Sequence, residues 1–268
     1  MGLKRQLAGI VPERALQHLS DHFDVIGDVA VIAVPEDLRP YNQAIAETIV
    51  SGRRNIYTVL NKVEKVAGDA RTAQYEVLRG DTTVTVHREF GFSYRLDVRR
   101  SFFSTRMAYE RKRVTDQVEP GERVYVPFAG VGPYAIPAAA RGADATAVEL
   151  NPDAFQWLLE NIRLNHREEN CHAIGGDATD TRKLPSCRFD RIIIPAPYGM
   201  DHVLEIFLPL VTEGGMVHFY TFKTEEQVPG LVAAYEKKGL TVTNYLPCGN
   251  VAPGVSRWVF DLAYPLRP

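Results

Sequence analysis

The sequence is poor in cysteine and has no cysteine pattern. Cys171, Cys187 and Cys248 are odd in number, far apart and in no C-x-x-C spacing, which points away from a disulfide framework or thiolate metal site and toward reduced, structural thiols. The seven histidines hold one H-x-x-x-H spacing, His18 and His22, and no H-E-x-x-H, so no resident metal is expected. No apolar run approaches about 18 residues, and the opening MGLKRQLAGIVPERALQ has no long apolar core of a signal peptide. These absences predict a soluble, cytoplasmic protein without a membrane segment. Net charge is scarce as well: 31 Lys and Arg against 33 Asp and Glu leave −2. That excludes a uniformly basic nucleic-acid coat, though not a local basic patch. Repeats and low-complexity segments are missing too, and a monomer is the expected state.

What is present is enough apolar content, 45% of 268 residues, to bury one large or two modest cores. The hydrophobic pattern divides the chain near residue 100. Residues 1 to about 20 read as a helix. FDVIGDVAVIAV (Phe23 to Val34) reads as a hairpin turning at Gly27-Asp28, and Glu36 to Ser51 as a second helix. Ile56 to Leu60 and Tyr75 to Leu78 suit strands, and Thr82 to Val98 a second hairpin around Gly91. Residues 1–100 are therefore expected to form a small α+β module of mostly antiparallel strands. Its basic residues Arg53, Arg54, Lys62, Lys65, Arg71, Arg88, Arg95, Arg99 and Arg100 lie beside Tyr57, Tyr75 and Tyr94 in the sequence. They are a candidate phosphate-tracking face, and each taken singly reads equally as solvated surface.

Residues 101–268 alternate strands and helices, which predicts a doubly wound, mostly parallel α/β sheet of the Rossmann-like class, with an antiparallel hairpin at the edge from the last two strands. Its organising stretch is GERVYVPFAGVGPYAIPAAARGADATAVELNPD (Gly121 to Asp153). This is a strand, a glycine turn, a helix and a second strand ending on Glu149. An acidic residue about 20 positions beyond the turn is placed to hold ribose hydroxyls. The third glycine of a dinucleotide fingerprint is Ala135 here, and Pro133-Tyr134 fill the turn. A pyrophosphate fits poorly, and S-adenosyl-L-methionine, with adenosine at one end and an amino acid at the other, fits better.

Ligands of doubly wound sheets lie at the carboxyl ends of the strands. Strand one offers Phe128, Ala129, Gly130 and Gly132, and strand two offers Glu149 with Leu150. Strand three offers Asp177, to accept from an adenine amino group, with Ala178 beside it. Asp177 reads alternatively as the start of an Asx turn. Strand four ends in Pro195-Ala196-Pro197-Tyr198, which has the shape of an element that holds an extruded base, rigid prolines and then an aromatic face, but lacks its polar first residue. A proline-stiffened strand end is the alternative.

These motifs resemble the archaeal and eukaryotic family that contains the tRNA guanine-37 N1-methyltransferases and the wybutosine-synthesis aminocarboxypropyl transferases. The likeness rests on FDVIGDVAVI, LDVRRSFFSTRMAYER, FAGVGPY, VELNPDAFQWLLENIRLN, Gly176-Asp177, GGMVHFYTF and VAPGVSRWVFDL. It implies S-adenosylmethionine as cofactor, a tRNA anticodon-loop purine as substrate, and the small module beside a class I methyltransferase domain. Arg106 matches the arginine that methyl-transferring members use against charge developing on guanine O6, and the AGVGPY turn resembles the same branch. Tyr198 and Glu110 are candidates to guide or take the proton, Glu110 reading equally as a helix ion-pair residue. Pro195 stands where methyl-transferring members have the asparagine of Asn-Leu-Pro, and Val126 where the family commonly has an acidic residue. VAPGV and the absence of an extra N-terminal domain resemble the aminocarboxypropyl branch. Guanine N1-methylation is thus the expected activity and aminocarboxypropyl transfer the alternative. Small-molecule methylation and non-catalytic tRNA binding are more remote readings.

Overall fold

The computed structural model describes residues 2–63, 74–182 and 184–266, in two compact units, Met1–Thr105 and Arg106–Pro268. Lys65 and Arg71 of the basic set lie outside the described residues.

In the first unit the helix expected over residues 1–20 is two short ones, α1 (Leu3–Gln6) and α2 (Glu13–Leu16). Gly9 between them adopts a left-handed φ of 83°, and Pro12, with no N–H to give a preceding turn, caps the second. β1 (Asp24–Ile26) and β2 (Val29–Ile32) form the hairpin. A 3₁₀ turn (Glu36–Tyr41) containing Pro40 leads into α3 (Asn42–Gly52), followed by β3 (Thr58–Lys62) and β4 (Tyr75–Arg79). The sheet order is β1-β2-β3-β4, with β2 and β3 parallel and the other pairs antiparallel. α3 turns Ile45, Ala46 and Ile49 into a core with Leu7, Leu38, Ile56 and Val59.

β5 (Val84–Glu89) and β6 (Phe92–Asp97) form a separate antiparallel ribbon. It is tied to the β1–β2 turn: the Thr85 hydroxyl donates to Asp28 Oδ1 at 2.6 Å and accepts the Asp28 N–H at 3.1 Å. A Cβ on Gly27 would lie 2.0 Å from that hydroxyl oxygen, so only glycine fits there. On the ribbon, Arg88 and Arg95 are exposed, whereas Tyr94 is fully buried. Strand alternation sends neighbouring residues to opposite faces, which removes Tyr94 from the expected basic and aromatic face.

The second unit opens with α4 (Ala108–Thr115) and β7 (Arg123–Pro127), then α5 (Ala135–Ala140), β8 (Asp144–Glu149), α6 (Pro152–Leu164) and β9 (Cys171–Gly175). β10 (Phe189–Ile194), α7 (Val203–Phe207), β11 (Val211–Lys223), α8 (Val228–Lys237), β12 (Thr241–Ala252) and β13 (Val255–Ala263) complete it. The seven-stranded order is β12-β13-β11-β10-β7-β8-β9. β7 to β11 are parallel, and β13 runs antiparallel between β11 and the edge strand β12. The chain steps from β7 outward through β8 and β9, then returns to β10 on the other side, so the order reverses between β7 and β10. That reversal opens a crevice at the carboxyl ends of these strands. α7 is short: a 3₁₀ turn with Pro209 ends it and Val211 already pairs in β11. β12 carries register shifts at three places. The cysteines are unpaired, and burial pushes the Cys171 and Cys248 thiols up to about 12.

A buried chain of charges fixes α4 to the sheet. Arg113 reaches Glu110 through Nε (2.7 Å) and Nη2 (2.9 Å) and Asp261 through Nη1 (2.6 Å). His218, fully buried on β11, places Nδ1 2.6 Å from Asp261 Oδ1 and Nε2 2.8 Å from Arg191 Nη1. A guanidinium only donates and a carboxylate only accepts, so the geometry assigns His218 the neutral form with its proton on Nδ1. Arg191 closes the chain on both oxygens of Glu122 at 2.8 Å. Tyr220 donates to Glu110 at 2.8 Å, and Arg191 Nη2 donates to the Gln117 carbonyl at 2.8 Å. Thus α4 descends the sheet antiparallel to β11. Arg106, one turn before Glu110, stands toward the carboxyl ends of the strands.

Burial holds the His218 imidazole below its ordinary value of 6.5, with Arg191 and Arg113 adding to the effect and Asp261 opposing it. Burial works to raise the Asp261 carboxyl, and the contacts from His218 and Arg113 more than reverse this, leaving it low. Below pH 6.5 the unfolded chain therefore binds a proton that the folded chain refuses at His218, and below about 4 it does so at Asp261 as well. Stability is expected to fall with acidification from pH 6.5, by up to about 1.4 kcal/mol per pH unit for His218. Thermal unfolding of wild type and His218→Asn between pH 7.5 and 5 checks this: the variant should have the shallower slope.

Candidate cofactor and active site

The crevice is built around one carboxylate. β7 ends at Pro127, and Phe128 takes a left-handed φ of 56°, a strained conformation for a bulky residue. The bend delivers the Ala129 N–H to the Val148 carbonyl at 2.9 Å and the Gly130 N–H to Glu149 Oε2 at 2.7 Å. The other oxygen of Glu149 accepts the Asn151 N–H at 2.8 Å, and its carbonyl accepts the Gly176 N–H at 2.9 Å. Glu149 thereby joins the ends of β7, β8 and β9. Gly130 (φ 56°) and Gly132 (φ 95°) complete the turn. A Cβ on Gly132 would lie 2.7 Å from Ile136 and 2.8 Å from Leu158, so glycine lets the turn settle onto α5 and α6.

Two asparagines not singled out from the sequence support this turn. Asn151 caps α6, its Oδ1 accepting the Asp153 N–H at 3.0 Å and the Ala154 N–H at 3.4 Å, with Pro152 in the first turn. Its signal was legible as Asn-Pro-Asp. Asn161 is fully buried on the apolar face of α6 and donates Nδ2 to the Val131 carbonyl at 3.0 Å. A lone amide among Ala154, Leu158 and Ile162 on one helix face was its available signal.

The remaining residues fall into three groups. Phe128, Ala129, Gly130, Gly132, Glu149, Asp177 and Ala178 come together at neighbouring strand ends, with Leu150 half exposed beside them. Asp177 Oδ1 takes both the N–H (2.8 Å) and the hydroxyl (2.7 Å) of Thr179, the Asx-turn arrangement, and only Oδ2 faces elsewhere. Pro195 is half-buried on the other side of β7, where the Ala196 N–H turns back to the Ile194 carbonyl at 2.8 Å. Tyr198 follows at the rim, 72% exposed.

Glu110 is buried, both oxygens engaged by Arg113 and one also by Tyr220. The ion-pair reading of Glu110 is the one the structure realises, so its candidacy as a proton acceptor is withdrawn. Arg106 is exposed on the 3₁₀ turn Thr105–Met107 that precedes α4. Among the described residues, no group of three or more His, Cys, Asp or Glu is placed to hold a metal ion. No helix among them is long and apolar enough to cross a membrane.

A doubly wound sheet with the turn of its first strand bonded to a carboxylate ending its second defines a Rossmann-like, nucleotide-cofactor-binding α/β protein. Comparison with known proteins narrows the class. The chain belongs to the TRM5/TYW2 methyltransferase family: the TRM5/TYW2 methyltransferase domain model matches residues 85–238, and the TYW2 N-terminal domain model matches residues 3–83.

One relative is the tRNA (guanine(37)-N(1))-methyltransferase Trm5b of Pyrococcus abyssi, 37% identical over 80% of this chain and 64% of that protein. Its crystal structure superposes with a TM-score of 0.85 at 33% identity, covering 96% of this chain and 78% of that one. The tRNA(Phe) (4-demethylwyosine(37)-C(7)) aminocarboxypropyltransferase of Pyrococcus horikoshii is 32% identical over 97% of this chain and 95% of its own. The structure of P. horikoshii TYW2 in complex with MeSAdo gives a TM-score of 0.78 at 31% identity, covering 97% of each chain. This chain thus spans just under two thirds of the first relative and nearly all of the second.

Asn151→Ala removes the side-chain cap of α6 and is expected to lower stability by about 1 kcal/mol. Asn151→Asp, which can still cap, should recover most of it. Chemical denaturation midpoints at constant m check both.

Proposed function

We propose that this protein is a cytoplasmic, monomeric S-adenosylmethionine-dependent enzyme that modifies the purine at anticodon-loop position 37 of tRNA, methylating N1 of guanine. The observation that carries the cofactor assignment is the Gly130–Glu149 bond. It holds a carboxylate at the crevice where a ribose diol would be read, in a turn whose Ala135 and Pro133 leave no pyrophosphate cradle. The residues present fit the group. Glu149 would accept from the ribose hydroxyls, Asp177 Oδ2 from the adenine amino group, and the Ala178 N–H would meet the ring. Phe128, Ala129, Gly130, Gly132, Leu150 and Pro195 would line the remainder. When bound, the cofactor supplies an electrophilic carbon next to a sulfonium.

This chain's residues would then position the purine. Arg106 would stabilise the negative charge that develops on guanine O6 as N1 loses its proton, and Tyr198 would present an aromatic wall at the entrance. Because Glu110 is committed to Arg113 and Tyr220, the released proton would leave through the solvent-exposed rim. The first unit would contact tRNA through its exposed Arg53, Arg54, Arg88, Arg95, Arg99 and Arg100.

Aminocarboxypropyl transfer is the second reading. The match of residues 3–83 to a TYW2 N-terminal domain favours it, as does Pro195, which has no polar side chain to read a base edge. The two reactions share a cofactor and differ in which carbon faces the nucleophile.

Incubating the protein with S-adenosylmethionine and tRNA carrying either unmodified guanosine-37 or its tricyclic derivative, then weighing the nucleosides by mass spectrometry, separates them. A methyl increment on guanosine is expected, and an aminocarboxypropyl increment on the tricycle would transfer the assignment to the second reading. Arg106→Ala should lower kcat about 100- to 1000-fold with cofactor affinity unchanged by calorimetry. Glu149→Ala should instead weaken cofactor binding about tenfold or more, as the loss of a hydrogen-bonded carboxylate implies.

A further inference from the structure

Three side chains outside the cofactor turn form a continuous aromatic and cationic surface at the same end of the sheet. Tyr198 follows β10, Phe222 is the penultimate residue of β11, and Arg257 lies opposite Phe222 on β13. The Tyr198 and Phe222 rings meet with centroids 5.3 Å apart at 59°. The Arg257 guanidinium carbon sits 4.9 Å above the Phe222 ring. Strand pairing fixes the last two residues, so Phe222 is held between a cation on one strand and a tyrosine on a loop.

Tyr198 occupies the tip of a turn that the Met200 N–H closes on the Pro197 carbonyl at 3.2 Å, with Gly199 at φ 81°. Gly199 lets the chain reverse there without a side chain of its own, and the tyrosine stands at the rim. Two observations set this cluster apart from ordinary surface. Tyr198 is 72% exposed although a braced ring backs it. Arg257 is half-buried, yet among the described residues no carboxylate pairs with it and no acceptor takes its N–H groups. A preformed π-face beside a guanidinium with open donors matches a nucleotide: a base to stack and a phosphate to take the planar fork.

We propose that Tyr198, Phe222 and Arg257 form a subsite for the unpaired nucleotide that adjoins the modified base. Its base stacks on Tyr198, Phe222 braces that ring, and its phosphate takes the donors of Arg257. The inference rests on the reading of the substrate as an RNA strand. An enzyme that draws one base out of a stack leaves its neighbour with an open face. A rim tyrosine covers that face and tolerates any base, because every base has a π-face. Tyr198 and Arg257 are then binding residues, and Phe222 is a positioning residue that acts through Tyr198.

The test uses the full chain, S-adenosylmethionine titrated by calorimetry, and a fluorescein-labelled anticodon stem-loop RNA followed by anisotropy across a salt series. Tyr198→Ala and Arg257→Gln should each weaken RNA binding about ten- to hundredfold while leaving cofactor affinity and melting temperature unchanged. Arg257→Gln should also lower the salt slope by about 0.7, one single-strand phosphate contact, whereas Tyr198→Ala should leave the slope alone. Tyr198→Phe should bind as wild type, and Phe222→Leu should behave as a weaker Tyr198→Ala.

Removing the base next to the target nucleotide should cost the wild type the same factor as Tyr198→Ala and cost that variant nothing more. Wild-type binding by both variants, or fully additive losses with the abasic RNA, would overturn the subsite while a wild type that modifies tRNA keeps the proposed function. A wild type that binds the cofactor but no RNA would overturn both.

Discussion

The Glu149 carboxylate is the constraint on which the catalytic unit depends. Its side chain collects one backbone amide from the turn after β7 and another from Asn151, the second residue beyond β8, while its carbonyl holds the turn after β9. Three loops that would otherwise move separately are thus referenced to a single residue. The left-handed Phe128 makes chemical sense in this light. A conformation costing about 1–3 kcal/mol persists because it delivers the Gly130 amide to an anion, and charge-assisted bonds of that kind are among the stronger ones in proteins. Asn151 and Asn161 stiffen the same arrangement from behind, one by starting α6 at the crevice and the other by tying α6 back to the turn.

A second framework, polar and buried, does for α4 what Glu149 does for the loops. Glu110, Arg113, Asp261, His218, Arg191 and Glu122 link the helix to β10, β11 and β13 through directional contacts. Replacing such a chain by apolar side chains is often neutral or favourable for stability, so its physical yield is geometric specificity. A greasy α4 could rotate or slide on the sheet, whereas the fork of Arg113 between two carboxylates admits one register. Arg106 lies on the 3₁₀ turn that leads directly into this helix, so the register of α4 sets where that turn starts.

Much of this was legible in the sequence. The alternation of apolar runs with helical segments gave the parallel sheet, and Gly130, Gly132 and Glu149 gave the crevice, because backbone turns and strand ends leave local traces. Glu110 was ambiguous for a physical reason: a carboxylate three residues before an arginine looks the same whether it faces solvent, substrate or a buried ion chain. Its partners Tyr220 and Asp261 lie 110 and 148 residues from the two ends of that pair. Tyr94 was misplaced because a run of basic and aromatic residues does not reveal which strand positions face inward. The pairing of Phe222 with Arg257 could not be read at all, since the β11–β13 register is set across the length of α8 and β12. The first helix was overextended because apolar spacing outweighed the break at Gly9, beyond which Pro12 starts a separate helix.

The irregular edge strand has a consequence for how the molecule behaves in company. β12 ends the seven-stranded sheet, and a straight twelve-residue outer strand would be a template on which another chain could add its own. Its ladder is interrupted at Val242/Asn244, Pro247/Gly249 and Asn250/Ala252, and Pro247 contributes no amide hydrogen. The opposite edge, β9, is only five residues long. Both flanks therefore resist strand addition, so the sheet can expose a long hairpin to a crowded cell without seeding aggregates of itself.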